Sequence, residues 1–266
     1  GCYNGLLGYG LKNNSYVLKR AYLCEDRVEM EEELEKLNLP KSFKLVITGG
    51  GRVGKGALEV IAKTNIQKVS PEDFIAKEFN FPVYTQLDVE DYVSREDNKS
   101  FDKSAFFYDP AGHVSTFMKY AKVADLYVAC HYWDNRAPYI FSREDVKNPN
   151  WNIKIVADVS CDIDGPVAST LRPSTIENPF YGYNPTLEKE VDFNNENAVG
   201  VMAVDNLPCE LPKDASEEFG KMFINHVLDP LIGNDHEDII YRASETINGK
   251  LTPHFEHLQD YLEGKD

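Results

Sequence analysis

With 266 residues, 42% hydrophobic and 12% aromatic side chains, the chain is long enough for one large or two small domains around a real core, which argues against disorder. Forty-four acidic against 28 basic residues give a net charge of -16, a surface that repels phosphate backbones and anionic headgroups and so disfavours nucleic acid and membrane partners. No apolar run approaches the roughly 18 residues that span a bilayer, and Cys2, Cys24, Cys130, Cys161 and Cys209 form no C-x-x-C pair and no zinc spacing. A soluble protein of the reducing cytoplasm, without a metal, is expected.

The chain opens Gly1-Cys2-Tyr3 without an initiator methionine, and residues 2–11 read as the end of a helix carrying Leu6, Leu7 and Gly8. Residues 25–37 read as a charged helix that stops before Pro40. From Lys44 short apolar runs alternate with helical stretches, the signature of β-α-β units in a parallel sheet covered on both faces. Strands are predicted at 45–48, 66–69, 83–87, 126–129, 153–157 and 199–204. Helices are predicted at 53–63, 71–77, 113–121, 143–147 and 215–228, with a final pair near 235–246 and 253–262. The aromatic segment Phe180-Tyr181-Gly182-Tyr183 reads either as a homodimer contact or as a loop covering the sheet. Such an order specifies a doubly wound α/β fold, whose ligands bind beyond the carboxyl ends of the strands. The site is therefore expected on the loops after Thr48, Val69, Ala129, Asp158 and Val204.

The strongest motif is Thr48-Gly49-Gly50-Gly51-Arg52-Val53-Gly54-Lys55-Gly56-Ala57, which follows a predicted strand and opens a predicted helix. Gly49, Gly51 and Gly54 match G-x-G-x-x-G, the Rossmann fingerprint, in which the helix N-terminus receives a pyrophosphate. A Walker loop would need Ser or Thr after Lys55, where Gly56 stands. Gly49, Gly50, Gly51, Arg52, Val53 and Gly54 are thus the expected phosphate cradle. A methyltransferase also follows its first strand with a glycine-rich loop, but the complete three-glycine fingerprint favours a dinucleotide.

Choice between NAD and NADP should rest on an acid at the end of the second strand. The run Ser70-Pro71-Glu72-Asp73 offers Glu72 as a ribose ligand, and equally as part of a capped helix start. If Ser70 holds the discriminating position instead, a 2′-phosphate is tolerated. After the fourth strand His131, Tyr132 and Trp133 read as a wall beside the nicotinamide or as structural groups. After the fifth, Asp158, Asp162 and Asp164 share a loop that lacks the distal glutamate of a calcium site. After the sixth, Asp205 and Asn206 stand where nicotinamide and substrate should meet, or form a plain turn into a helix. Among groups able to act as acid or base, only His131, Asp205 and Asp162 qualify.

Six ordered stretches together resemble the saccharopine dehydrogenase and lysine-ketoglutarate reductase family, relatives of alanine dehydrogenase and transhydrogenase. They are the glycine loop at 48–57, F-Y-D-P-A at 107–111, H-Y-W-D-N-R-A-P at 131–138, D-V-S-C-D at 158–162, S-T-I-E-N-P-F at 174–180 and V-D-N-L-P-C-E-L-P-K-D-A-S at 204–216. The resemblance implies an NAD(P)-dependent oxidoreductase acting on saccharopine, lysine or a related amino or keto acid. It places pyrophosphate on Gly49, Gly51 and Gly54, and Asp205 with Asn206 at the mouth of the catalytic cleft. Tyr132 and Asp158 are taken as further cofactor contacts, and Asp205 and His131 as the catalytic candidates within this chain. Family members take their principal acid and base from a preceding domain. Residues 1–42 are accordingly expected as a linker and helix following such a domain, 43–210 as the dinucleotide-binding part, and 211–266 as helices returning toward the catalytic domain. The alternative from another class is a non-catalytic NAD(H)-sensing domain.

Overall fold

The structure, a computed structural model, describes residues 1–265. Helices α1 (Cys2–Lys12) and α2 (Arg27–Glu33) precede strand β1 (Lys44–Thr48), α3 (Arg52–Ile61), β2 (Gln67–Lys68), α4 (Pro71–Ala76) and β3 (Val83–Leu87). There follow α5 (Val89–Tyr92), β4 (Val93–Arg95), α6 (Lys103–Tyr108), β5 (His113–Ser115), α7 (Met118–Ala121) and β6 (Leu126–Ala129). Next come α8 (Arg143–Lys147), β7 (Ile155–Asp158), β8 (Phe180–Asn184), β9 (Lys189–Val191) and β10 (Val199–Met202). These elements form one unit, Gly1–Leu211, and the residues from Pro212 form a second.

Eight strands of the first unit make a single sheet in the order β2-β3-β1-β6-β7-β10-β8-β9. Pairing is parallel from β2 through β10 and antiparallel at β8 and β9. This is an α/β fold of Rossmann type, and its two faces follow from the alternation of side chains along each strand. Leu45, Ile47, Leu126, Val128, Ile155 and Ala157 point to one face, where Leu6 and Leu7 of α1 and Ala57 and Ile61 of α3 cover them. Val46, Tyr127, Val156 and Val201 point to the other, under Phe74 of α4, Tyr120 and Ala121 of α7, and Val146 of α8. Burying Leu6 and Leu7 completely contributes about 2 kcal/mol each. Residues 1–42 thus contribute α1 to the sheet's cover, and Gly5 lets the helix approach Ala157 and Leu126 closely.

One buried lysine fastens the sheet to α4. Lys44 is 3% exposed, and its Nζ donates to the carbonyls of Phe74 and Lys77 at 2.9 and 2.7 Å, closing the C-terminal turn of that helix.

Three expectations change. Residues 180–183 are neither loop nor surface contact: they are most of β8, with Tyr181 and Tyr183 buried. Residues 113–121 are not one helix, because His113–Ser115 pairs antiparallel with Val93–Arg95 and only Met118–Ala121 is helical. The strand predicted at 66–69 is only Gln67–Lys68, at the edge of the sheet next to β3.

The second unit contains α9 (Pro212–Phe223), which runs through a π turn at Ile224–Leu228 into α10 (Asp229–Ile232), then α11 (Ile239–Ala243). A short hairpin of β11 (Thr246–Ile247) and β12 (Lys250–Leu251) leads to α12 (Gln259–Leu262). No residue of α9 is buried. Among the described residues no helix is long and apolar enough to cross a membrane.

Candidate functional site

Thr48 of β1 pairs with Leu87 of β3 on one side and Ala129 of β6 on the other, and Ala129 pairs with Asp158 of β7. The carboxyl ends of four strands therefore form one row, and the chain leaving β1 enters a crevice between flanking strands, where open α/β sheets bind ligands.

Each glycine of the loop answers a different demand. Gly49 has φ +100°, and a Cβ there would sit 2.4 Å from the Cys130 carbonyl oxygen, so both conformation and space require glycine. Its amide donates to Leu87 O at 3.2 Å, and its carbonyl accepts from Gln86 Nε2 at 2.9 Å. A Cβ on Gly54 would lie 2.1 Å from Gly49 O, so this glycine sets the approach of α3 to the strand end. Gly50 and Gly51 face open space. Gly51 begins α3 with no side chain capping it, which leaves the amides of the first turn for another acceptor. Bare backbone, open space and a helix N-terminus together suit an anion such as pyrophosphate.

Two cavities meet at this loop. The larger, about 630 Å³, is floored by Gly49, Gly50, Gly51, Arg52 and Val53. Its walls come from the β6 loop (Cys130 to Asp134, Ala137, Pro138), from Val89, Tyr92, Val93, Phe106, Phe107 and Pro110, and from Val159, Ser160 and Asp162. The smaller, about 610 Å³, lies over the ends of β2 and β3 and is lined by Gly50, Lys68 to Glu72, Gln86, Leu87, Asp88 and Asp91. Both are of a size that holds a cofactor fragment. Gly50 and Asp88 belong to both.

Side chains behind the walls set their shape. Trp133 Nε1 donates to the Ala137 and Pro138 carbonyls, each at 3.3 Å, folding the β6 loop on itself. Arg136 grips Asp134 at 3.0 and 2.8 Å, which holds that carboxyl at about 2. The imidazole of His113 donates from Nδ1 to the carbonyls of Pro110 and Ala111, both at 3.0 Å, and so braces the segment presenting Phe107 and Pro110.

Of the predicted site residues, the structure brings together Gly49, Gly50, Gly51, Arg52, Val53, Glu72, His131 and Tyr132 at the two cavities, with Gly54 directly behind the loop. Ser70 caps α4 by accepting from Asp73 N at 3.1 Å, so Glu72 lies both in a capped first turn and on a cavity wall. Asp158 lines neither cavity. It is fully buried and accepts from Ser160 Oγ at 2.6 Å, Thr170 Oγ1 at 2.7 Å and Cys161 N at 3.1 Å, so it shapes its loop while Ser160 and Asp162 reach the cavity. Burial raises its carboxyl above the usual range. Asp205 and Asn206 are exposed, line neither cavity and lead into a 3-10 turn at Leu207–Glu210. The matched stretch beginning at Ser174 is also scaffold, since Ser174 Oγ donates to Pro179 O at 2.9 Å and accepts from Ala203 N at 3.1 Å.

His131 is 7% exposed, and burial pushes its imidazole down to about 4. Its Nδ1 lies 2.9 Å from Thr48 Oγ1, which is 2.8 Å from the buried Tyr127 hydroxyl. The arrangement that leaves neither hydroxyl proton idle has Tyr127 donating to Thr48 and Thr48 donating to Nδ1, which puts the imidazole proton on Nε2, an atom without a partner in the structure. A histidine pKa depressed from its ordinary 6.5 stabilises the fold fully above that value and ceases to do so as pH falls toward 4. His131→Gln should therefore narrow its stability gap to the unsubstituted chain by about 2 kcal/mol between pH 7 and pH 4.5 in denaturant titrations. A gap independent of pH would mean that the imidazole ionises freely.

Sequence reasoning missed Asp88, Phe106, Ser160 and the apolar wall at Val89 to Val93. Phe106 and the apolar wall lie in stretches with no local signature, Ser160 lies on a loop singled out only for its carboxylates, and Asp88 directly follows a correctly predicted strand whose place in the sheet the sequence does not reveal.

No protein-family model matches the chain. It is 27% identical over 257 residues to the alpha-aminoadipic semialdehyde synthase of Arabidopsis thaliana, covering 87% of this chain and 24% of that protein. It is likewise 27% identical over 264 residues to the mitochondrial alpha-aminoadipic semialdehyde synthase of Rattus norvegicus, covering 86% of this chain and 28% of that protein. With the NAD(+), L-lysine-forming saccharopine dehydrogenase of Candida albicans it shares 25% identity over 226 residues, 82% of this chain and 47% of the relative. The chain thus spans about a quarter of the synthases' length and about half of that dehydrogenase. Through most of its length the chain is similar to proteins of the saccharopine dehydrogenase family.

Proposed function

We propose that this chain binds a nicotinamide dinucleotide, NAD(H) or NADP(H), and is the cofactor-holding part of an oxidoreductase acting on saccharopine, lysine or a related amino or keto acid. The observation that carries the reading is the uncapped start of α3 beneath Gly50 and Gly51, whose open faces meet two adjoining cavities. The names of the relatives support the substrate class. Bound there, the dinucleotide would supply or accept a hydride. The first-turn amides of α3 hold its phosphates, Arg52 adds positive charge at the cavity floor, and Trp133, Pro138 and Phe107 exclude water from the larger cavity.

Neutral His131, with its pKa near 4, serves this site as a hydrogen-bonding group rather than a cation at neutral pH. Asp158 is consumed by its loop, and Asp205 and Asn206 lie off the cavities, so we assign the principal acid and base to a part of the protein beyond these residues. The same shortage favours, as a second reading, a domain that senses NAD(H) without turning it over. The thiols are all free, which suits a reducing compartment, the cytoplasm or, as the rodent relatives are named, the mitochondrion.

Calorimetric titration of the chain with NAD, NADH, NADP and NADPH, with S-adenosylmethionine as control, should show binding of nicotinamide dinucleotides alone. Heat from none of the four would sink the reading. Saccharopine-dependent reduction of the cofactor by the intact protein separates the enzyme from the sensor.

A further inference from the structure

Three polar side chains behind the glycine loop hold one proton more than they can use among themselves. Tyr127, Thr48 and His131 lie in a row, with 2.8 Å between the two hydroxyl oxygens and 2.9 Å from Thr48 Oγ1 to the imidazole Nδ1. Two hydrogen bonds join the row, while two hydroxyls and a neutral imidazole bring three protons to it. One donor is therefore idle whichever way the row runs. If Nδ1 donates, the idle proton is on the hydroxyl of the fully buried Tyr127, in the core between sheet and helices, where an unmet donor is costly. If Tyr127 donates to Thr48 and Thr48 to Nδ1, the idle proton is on Nε2 of His131, a residue in the wall of the larger cavity. Nε2 is buried and has no partner among the described residues.

We propose that Nε2–H of His131 anchors the bound ligand by donating to an uncharged oxygen, which in a nicotinamide dinucleotide is the carboxamide oxygen of the nicotinamide. This inference rests on the dinucleotide reading above. A dinucleotide laid across the glycine loop puts one mononucleotide on each side of β1. The smaller cavity, over β2 and β3, is lined by Lys68, Glu72, Asp88 and Asp91, a charged surrounding. The larger reaches across to the loops after β6 and β7, and Phe107, Trp133 and Pro138 wall it with apolar groups that keep water from a ring exchanging hydride. The nicotinamide belongs in the larger cavity, where His131 stands.

Charge decides among the acceptors that a dinucleotide offers. Burial keeps the imidazole neutral down to about 4, so it adds little attraction for phosphate, which the first-turn amides of α3 and Arg52 are placed to receive. A neutral N–H in a largely apolar wall is matched by a carbonyl, and a bond so shielded from water fixes which way the carboxamide points. Thr48 and Tyr127 line neither cavity. They act through His131, as positioning residues that settle which ring nitrogen carries the proton.

The test is calorimetry of the full chain and its His131→Leu and His131→Gln variants with NAD and with ADP-ribose, which keeps the pyrophosphate and both riboses but lacks the nicotinamide. Leucine removes the donor and should weaken NAD binding roughly ten-fold while leaving ADP-ribose unchanged, a result that also shows the variant to be folded. Glutamine, whose amide nitrogen reaches about as far as Nε2, should recover most of the loss. Nitrogen NMR of the unsubstituted chain carrying isotope-labelled histidine needs no variant to fold. It should show the His131 proton on Nε2, with a resonance that shifts on adding NAD and stays in place on adding ADP-ribose. Tyr127→Phe frees Thr48 to accept from Nδ1 and should populate the other tautomer. A proton on Nδ1 in the unsubstituted chain, a resonance indifferent to NAD, or a His131→Leu variant that binds NAD as before or loses NAD and ADP-ribose alike would each overturn the assignment while dinucleotide binding stands. Failure of the unsubstituted chain to bind either ligand would instead remove the dinucleotide reading.

Discussion

Replacing Gly51 by aspartate should weaken dinucleotide binding by roughly 30-fold or more and leave the chain folded. Gly51 has φ -79° and ψ -164°, an extended conformation open to any residue, and a Cβ there meets nothing within 4 Å. Aspartate is moreover a better helix N-cap than glycine, so the melting temperature should hold or rise slightly. The new carboxylate would occupy the first-turn amides of α3 and place a negative charge where the pyrophosphate belongs. Two charges about 4 Å apart at an effective dielectric near 20 repel by about 4 kcal/mol, and even half of that weakens binding roughly 30-fold. Titration calorimetry and thermal unfolding on one preparation read both effects. Retention of affinity within a small factor would mean that phosphate does not sit on this loop.

Gly54→Ala should do the reverse, and destabilise the fold by about 2–3 kcal/mol. In an ordinary helix the change is favourable by up to about 1 kcal/mol. Here the added methyl would stand 2.1 Å from the Gly49 carbonyl oxygen, and that oxygen cannot retreat: it accepts from Gln86, its own residue's amide is tied to Leu87, and φ at Gly49 is already +100°. Helix α3 must shift instead, pulling Ala57 and Ile61 away from the sheet. A denaturant midpoint equal to that of the unsubstituted chain would show that the helix approaches the strand less closely than described. Two glycines three residues apart thus carry separable duties, one toward a ligand and one toward packing.

Much of the first βα unit was legible because its signals are local. Apolar side chains at Leu45, Val46 and Ile47, bounded by Thr48 and a run of glycines, can be read within ten residues, and the structure places β1, the loop and α3 there. Strands ending at Leu87 and Ala129 were equally plain. By contrast, Tyr181-Gly182-Tyr183 offered no alternation to read, because β8 is buried on both faces and Gly182 is needed where the Asp192 carbonyl approaches to 2.5 Å of a would-be Cβ. Residues 113–115 become a strand through hydrogen bonds to 93–95, partners that no local propensity contains.

The site divides in the same way. Glycine spacing marked the phosphate cradle because backbone conformation and close approach restrict those positions to glycine wherever the chain goes next. Glu72, Asp88 and Asp158 are all carboxylates near predicted strand ends, and nothing in their neighbours along the chain ranks them. Thr170 lies twelve residues from Asp158 and turns that acid into scaffold, while burial behind Thr48 and Tyr127 makes His131 a neutral group. The sequence by itself determined the sheet's chemistry, the glycine cradle and the family resemblance, because each depends on residues within one turn or strand of one another. Only the tertiary structure decided that β3 lies against β1, which acid faces the crevice and which is consumed, because strand order and burial are set by contacts between residues far apart in the chain.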